Sequence, residues 1–256
     1  MNDDLGRRRL LNLGFSAAAL ALASCAAPAE AEPGPKTPAT PPTRGAPSPP
    51  KLALSAAPAE KQLVALPFAP GSIPGLSEKL LTNHHDKNYA SAVKKLNEVR
   101  TALAASDPDK AAGYWSEFGT LKSAEAAARN SALLHELYFA NLGGAGAAIS
   151  PALGAALGAR FGSPAALEKQ MRGCAQATNG WVVLAVDRAS STLEIAQTDG
   201  HAGGAWNAEA LLVLDMFEHA YAIDYGPAKG PYLDAFFKNV HWAEVGRRFD
   251  AALARG

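Results

Sequence analysis

The chain has 256 residues, 48% of them hydrophobic, with 24 basic and 24 acidic side chains, the size and balance of a globular protein with one or two small domains. Zero formal net charge argues against the basic surface that phosphate backbones require, so no nucleic-acid partner is expected. With only two cysteines, Cys25 and Cys174, no disulfide framework is available, and Cys174 reads as a small buried hydrophobe.

The first 25 residues, MNDDLGRRRLLNLGFSAAALALASC, run from a basic cluster through a modest apolar stretch to small residues, the layout of an export signal over residues 1–24. The apolar stretch is too short and too rich in Ala and Gly to read as a permanent span. Arg7, Arg8 and Arg9 before Leu10 and Leu11 resemble a twin-arginine pattern, with Gly6 in place of the usual polar residue. Leu22-Ala23-Ser24-Cys25 is similar to a bacterial lipobox, which makes Cys25 the expected lipidated residue and the membrane an expected partner. Location in the bacterial cell envelope, as a periplasm-facing lipoprotein, follows as an expectation. Residues 25–60 hold ten of the chain's eighteen prolines and no aromatic side chain, so they read as a tether that cannot form a core. Fully extended as polyproline II at about 3.1 Å per residue, the tether spans on the order of 100 Å.

Helical periodicity begins after Ala65. Gly75 to Ser106 carries apolar residues at Leu76, Leu80, Val93, Leu96, Val99 and Leu103 with Ser77 as cap, which predicts one long helix or one kinked near Asn83. A second helix is predicted from about Ser123 to Leu142, stopped by Gly143-Gly144. Ser150 to Thr178 predicts two short helices with Pro near each start. WVVLAV from Trp181, TLEIAQ from Thr192 and EALLVL from Glu209 predict strands, separated by turn-rich segments. The last is a continuous apolar run, as in a strand covered on both faces. EHAYAIDY and PYLDAFFKNVHWAEVGRRFDAAL are helical by pattern. The predicted class is α+β: an N-terminal antiparallel helical hairpin over residues 61–143, then an α/β domain over residues 144–256 with a three-stranded antiparallel sheet. No repeat and no nucleotide-binding glycine loop is visible.

Of six histidines, His84, His85, His135, His201, His219 and His241, each alone reads as a hydrogen-bonded structural residue. Asp215 ends a buried strand with His219 four residues on, so the two can converge on one point, and one His from each hairpin helix can complete a set. Three imidazoles and a carboxylate suit iron or manganese and tolerate zinc or copper, whereas the lack of cysteine ligands disfavours structural zinc. Spacing alone does not establish convergence.

LSEKLLTNHHDKNYASAVKKLN, LLHELYFANLGG, NGWVVLAV, DMFEHAYAIDY and GPYLDAFFKNVHWAEV resemble, in order, the signatures of iron/manganese superoxide dismutases, from about Leu66 to the C-terminus. The resemblance implies His84, His135, Asp215 and His219 as ligands of one Fe or Mn ion per subunit, with a solvent molecule as fifth ligand. Superoxide is the implied substrate, disproportionated to oxygen and hydrogen peroxide. A homodimer is also implied, in which Glu218 of one subunit bonds the partner's ligand His219. Lys87 and Lys229 fall where the family places cations that attract superoxide.

Several positions depart from the family pattern. Asn88 replaces a second-sphere His, Ala92 a gateway Tyr and Ala222 the Tyr that bonds that His across the dimer, so both ends of one interaction are missing together. Tyr89 is a candidate to supply a displaced hydroxyl. Ser131 stands at one of two family positions for a Gln that bonds the metal's solvent, and His201 aligns with the other, which gives His201 that role. Phe217, Phe139 and Leu133 stand where the family often has Trp, and His85 and His241 read as structural. Two competing readings follow: a dismutase-like metal-binding protein with weak or lost dismutation because of Ala92, Asn88 and Ala222, and a mononuclear iron oxygenase, which the four-ligand set disfavours.

Overall fold

The structure, a computed structural model, describes residues 58–255. The export signal, Cys25 and all but the last residues of the tether lie outside them. Helix α1 (Glu78–Asn83) opens where the Ser77 hydroxyl accepts from the Leu80 amide, and it runs through a wider π turn (His84–Tyr89) into α2 (Ala90–Ala105). The irregularity falls directly after Asn83, where the sequence allowed a kink. A π turn shifts the helix face by one residue and is common at functional sites. Here it spans the HHDKNY segment.

Helix α3 (Glu117–Ala140) starts earlier than the apolar pattern suggests, because the Ser116 hydroxyl caps the Gly119 amide. It packs antiparallel on α2 as the predicted hairpin. Its end is set by Gly143, at φ 87°, and by Gly144, where a Cβ would lie 2.3 Å from the His241 Cα. Only glycine permits that crossing of chains.

Helices α4 (Pro151–Phe161) and α5 (Pro164–Ala177) each carry Pro in the first turn behind a serine cap. Strands β1 (Trp181–Asp187), β2 (Thr192–Thr198) and β3 (Ala208–Asp215) form an antiparallel sheet in the order β2-β1-β3. Trp181 pairs with Asp215 at one end, and a bulge between Leu184 and Ala185 shifts the register farther along. Leu211 to Asp215 are all buried, as a run covered on both faces requires.

The EHAYAIDY segment is a single 3₁₀ turn (Glu218–Ala220) followed by the short helix α6 (Ala222–Tyr225). The C-terminal helical pattern divides into α7 (Lys229–Lys238) and α8 (Trp242–Leu253). The division is tertiary in origin, since Asn239 donates to the carbonyls of Pro74 and Ala235 while the His241 amide donates to Asn141. One hydrophobic cluster runs from Ile73 and Leu80 through Met171 and Trp181 to Phe249, so the hairpin and the sheet share a core. Cys174 is a free thiol, partly buried against that core.

Behind the sheet, Asn141 bridges three elements. Its Oδ1 accepts from the Val213 amide at 2.8 Å and from the Arg248 guanidinium at 3.4 Å, and its Nδ2 donates to the Leu211 carbonyl at 3.3 Å. All of this is buried. Asn141→Ala strands those groups and is expected to cost about 2–4 kcal/mol in chemical denaturation; a loss below about 0.5 kcal/mol would show that water replaces the amide.

Candidate metal centre

Four side chains from three regions of the chain meet in the core. His84 enters from the start of the π turn, His135 from α3, Asp215 from the end of β3 and His219 from the 3₁₀ turn. Asp215 and His84 are fully buried, His135 is 1% exposed, and the His219 side chain retains 23% exposure. One ligand atom from each lies within 4.8 Å of all the others. The Asp215 Oδ2 is 3.1 Å from the His84 Nε2, 3.3 Å from the His219 Nε2 and 3.6 Å from the His135 Nε2, and the last two nitrogens are 3.4 Å apart.

Backbone contacts fix these orientations. The Asp215 Oδ1 accepts from the Phe217 amide at 2.9 Å, and the Tyr232 hydroxyl donates to the Asp215 carbonyl at 2.7 Å. His135 places its Nδ1 2.7 Å from the Ser131 carbonyl one helical turn back. A carbonyl only accepts, so Nδ1 carries the proton and the neutral ring leaves a lone pair on Nε2. That lone pair faces the cluster.

Electrostatics favour a cation at the meeting point. Burial opposes charge on Asp215, but hydrogen bonds from His219 and His84 outweigh it and hold the carboxyl below its ordinary range. Burial pushes His135 down to about 3 and lowers His84, so these rings are neutral at pH 7. A lone buried carboxylate is costly, two imidazole Nε2 atoms face each other, and the His84 Nδ1 is buried without a partner among the described residues. Bonds of about 2.1 Å to one ion would set neighbouring donors about 3.0 Å apart at right angles and about 3.6 Å at 120°. The four separations between Asp215 and the three imidazoles and between His135 and His219, 3.1–3.6 Å, fall in that interval, with all four atoms within 4.8 Å. Three nitrogens and one oxygen of this kind suit Fe or Mn.

Around the four lie the other residues singled out from sequence. The His201 Nδ1 lies 3.0 Å from the Trp181 indole Nε1. Indole only donates, so the neutral His201 keeps its proton on Nε2. Burial lowers the pKa of this ring, which stacks on Phe217 with centroids 4.4 Å apart and lies 6.3 Å from the ring of His135. Tyr89 is near but turned away. Its hydroxyl donates to the Glu136 carboxylate at 2.6 Å and accepts from the Val64 amide at 3.0 Å, with burial holding the phenol protonated. Lys87 is exposed. Lys229 instead closes the end of α5, donating to the carbonyls of Ala175 and Thr178 and to the Asn179 side chain, a structural duty that the sequence did not reveal. Glu218 is exposed beside His219, Asn88 is partly buried, Ala92 lines the core edge and Ala222 is exposed. His85 bonds Asp86 and the Val64 carbonyl, in keeping with a structural role.

Sequence reasoning missed Trp181 as the residue that orients His201, and Glu136 as the partner of Tyr89. The first had a signal, a Trp opening the strand that leads into the cluster; the second had none, because Glu136 acts across the hairpin.

Comparison with known proteins agrees in kind. The family described as "Iron/manganese superoxide dismutases, C-terminal domain" matches residues 149–248. An iron superoxide dismutase of Cupriavidus metallidurans is 36% identical over 187 residues, covering 72% of this chain and 93% of that protein. An iron superoxide dismutase of Aquifex pyrophilus is 35% identical over 72% of this chain and 89% of its own length. A manganese superoxide dismutase of Halobacterium salinarum is 34% identical over 77% and 98%.

The depressed histidines set a pH dependence for the metal-free protein. The unfolded chain protonates these rings near the ordinary 6.5, whereas folded His135 stays neutral to about 3 and His84 shifts the same way. The unfolded state therefore binds more protons in this window, and stability falls as pH drops from about 6.5 toward about 3. Urea midpoints of the metal-free protein are expected to be lower at about pH 5 than at about pH 7.5; equal midpoints would contradict the burial of neutral imidazoles.

Proposed function

This chain belongs to the iron/manganese superoxide dismutase family, and on that footing we propose that it converts two superoxide ions and two protons to oxygen and hydrogen peroxide. One Fe or Mn ion per subunit would be held by His84, His135, Asp215 and His219. The observation that carries this reading is the convergence of three imidazole Nε2 atoms and one carboxylate oxygen, all within 4.8 Å, in a buried setting. An ion held there would supply one-electron redox chemistry, alternating between trivalent and divalent states.

The chain's own residues do the rest. Asp215 supplies one negative charge, and neutral imidazoles keep the ligand charge low, which favours an ion that can lose and regain an electron. His201, with Trp181 on its Nδ1, holds its one proton at Nε2, and in this reading it bonds the solvent of the centre. Lys87 adds an exposed positive charge that favours approach of a small anion. Exposed Glu218 beside the partly exposed His219 supports a homodimer in which each Glu218 bonds the partner's His219 ring. Cys25 would anchor the domain in the bacterial envelope after export, by the twin-arginine route if Arg7 and Arg8 are read there.

A second reading, a metal-holding relative with slow or lost dismutation, is favoured by one observation. The Tyr89 hydroxyl, the candidate to replace the tyrosine missing at Ala92, is committed to Glu136 and Val64.

The test separates the two. The mature protein loaded with iron or manganese is expected to hold near-stoichiometric metal and to remove superoxide with at least one of them; full loading without dismutation under either metal would sink the enzyme reading. Asp215→Ala is expected to abolish metal retention, as read by elemental analysis. His201→Ala is expected to retain metal, to shift its reduction potential and to lower the rate about 10–100-fold; an unchanged potential would refute the role given to His201.

A further inference from the structure

We propose that the groove between α3 and the open part of the sheet is a binding site for an amphiphilic anion, an aliphatic chain ending in a carboxylate. The groove has a volume of about 650 Å³, within the range of small-molecule sites. Its floor follows from strand register. Val183 faces Ala196 and Ala185 faces Ala210 across the sheet, and alternation puts all four on one face. Three alanines leave room where larger side chains would fill the space.

The wall is the aliphatic stripe Leu133, Leu134 and Leu137 of α3, with Leu133 49% exposed. At the far side the loop carrying His201 closes the groove, tied to α3 by the Asn130 amide, which donates to the His201 carbonyl at 2.9 Å. Trp206, 92% exposed, stands in that loop.

The rim carries the charge. Arg188 and Arg255 both pair with the single carboxylate of Glu209. Arg247 and Arg248 both pair with Glu244. Arg129 is exposed and makes no salt bridge among the described residues. Four guanidinium groups, those of Arg129, Arg188, Arg247 and Arg255, thus rim an aliphatic trough with the carboxylates of Glu209 and Glu244 between them, while the Arg248 guanidinium is buried against Asn141 and Leu211, in a chain whose formal charge is zero. Such a rim attracts an anion, and a guanidinium receives a carboxylate in a forked pair. The trough offers a tail no hydrogen-bonding demand, so a purely polar anion would leave most of the lining unused.

The test is calorimetric titration of dodecanoate, below its micelle concentration, into the metal-loaded full chain carrying Cys25→Ser so that no attached lipid competes. Saturable binding of one dodecanoate per chain is expected, with a change in Trp206 fluorescence that Trp206→Phe removes. Dodecanol is expected to bind at least about tenfold more weakly and acetate not measurably, since charge and tail each contribute. Arg129→Glu is expected to weaken dodecanoate about tenfold or more, and Ala196→Trp, which fills the floor, to abolish binding. Should Ala196→Trp fail to fold, Arg129→Glu still decides. Absence of saturable binding, dodecanol binding as tightly as dodecanoate, or unchanged affinity in Arg129→Glu would each overturn the proposal.

Discussion

The carboxylate of Asp215, fully buried at the end of the central apolar run and facing three imidazole nitrogens, is the constraint around which this protein is arranged. A charge in that position is tolerable only with complete compensation. The surrounding structure supplies partners for every other atom of the residue. Phe217 takes Oδ1, Tyr232 takes the backbone carbonyl, and β1 fixes the strand end by pairing Trp181 with Asp215. What remains is Oδ2, which the Nε2 atoms of His84, His219 and His135 face at 3.1, 3.3 and 3.6 Å. A cation held there would compensate the buried carboxylate and the imidazole nitrogens together, which would link folding to metal binding.

The elements that deliver the imidazoles are more local in origin. A π turn sets His84 on the inner face, a continuous helix delivers His135, and a tight 3₁₀ turn returns His219 to the strand end it has just left. Much of this was legible in the sequence. Serine caps, prolines in first turns, a Gly-Gly stop and a continuous apolar strand each have a local physical cause, and each marks an element that is present. The division of the last helix was not legible, because Asn239 and His241 are held by bonds to Pro74 and Asn141, far away in the chain. Spacing suggested Asp215 with His219 but not their joining with His84 and His135. That grouping came from family resemblance, and the geometry places the four together.

The positions that depart from the family pattern fall on three elements, Asn88 in the π turn, Ala92 in α2 and Ala222 in α6. Tyr89, next to Asn88, is drawn into a network apart from the cluster. In that network Lys61 pairs with Glu136 at 2.7 Å, Tyr89 donates to the same carboxylate, and the Lys61 and Asn97 groups exchange backbone and amide bonds. The N-terminal approach is thereby strapped across the hairpin next to His135. A side chain that reads as a candidate catalytic hydroxyl thus serves to hold the strap. Trp181 donates to the His201 Nδ1, which leaves that ring's proton on Nε2. The chain belongs to the iron/manganese superoxide dismutase family, and its four candidate ligand side chains meet in the core.

The central claim, that one ion sits among three imidazoles and the Asp215 carboxylate, is tested most directly by X-ray absorption at the metal edge of the iron- or manganese-loaded protein. A first shell of nitrogen and oxygen at about 2.1 Å, free of sulfur and with the outer-shell scattering of several imidazole rings, is the expected result. A shell of oxygen alone, without imidazole scattering, would contradict the account.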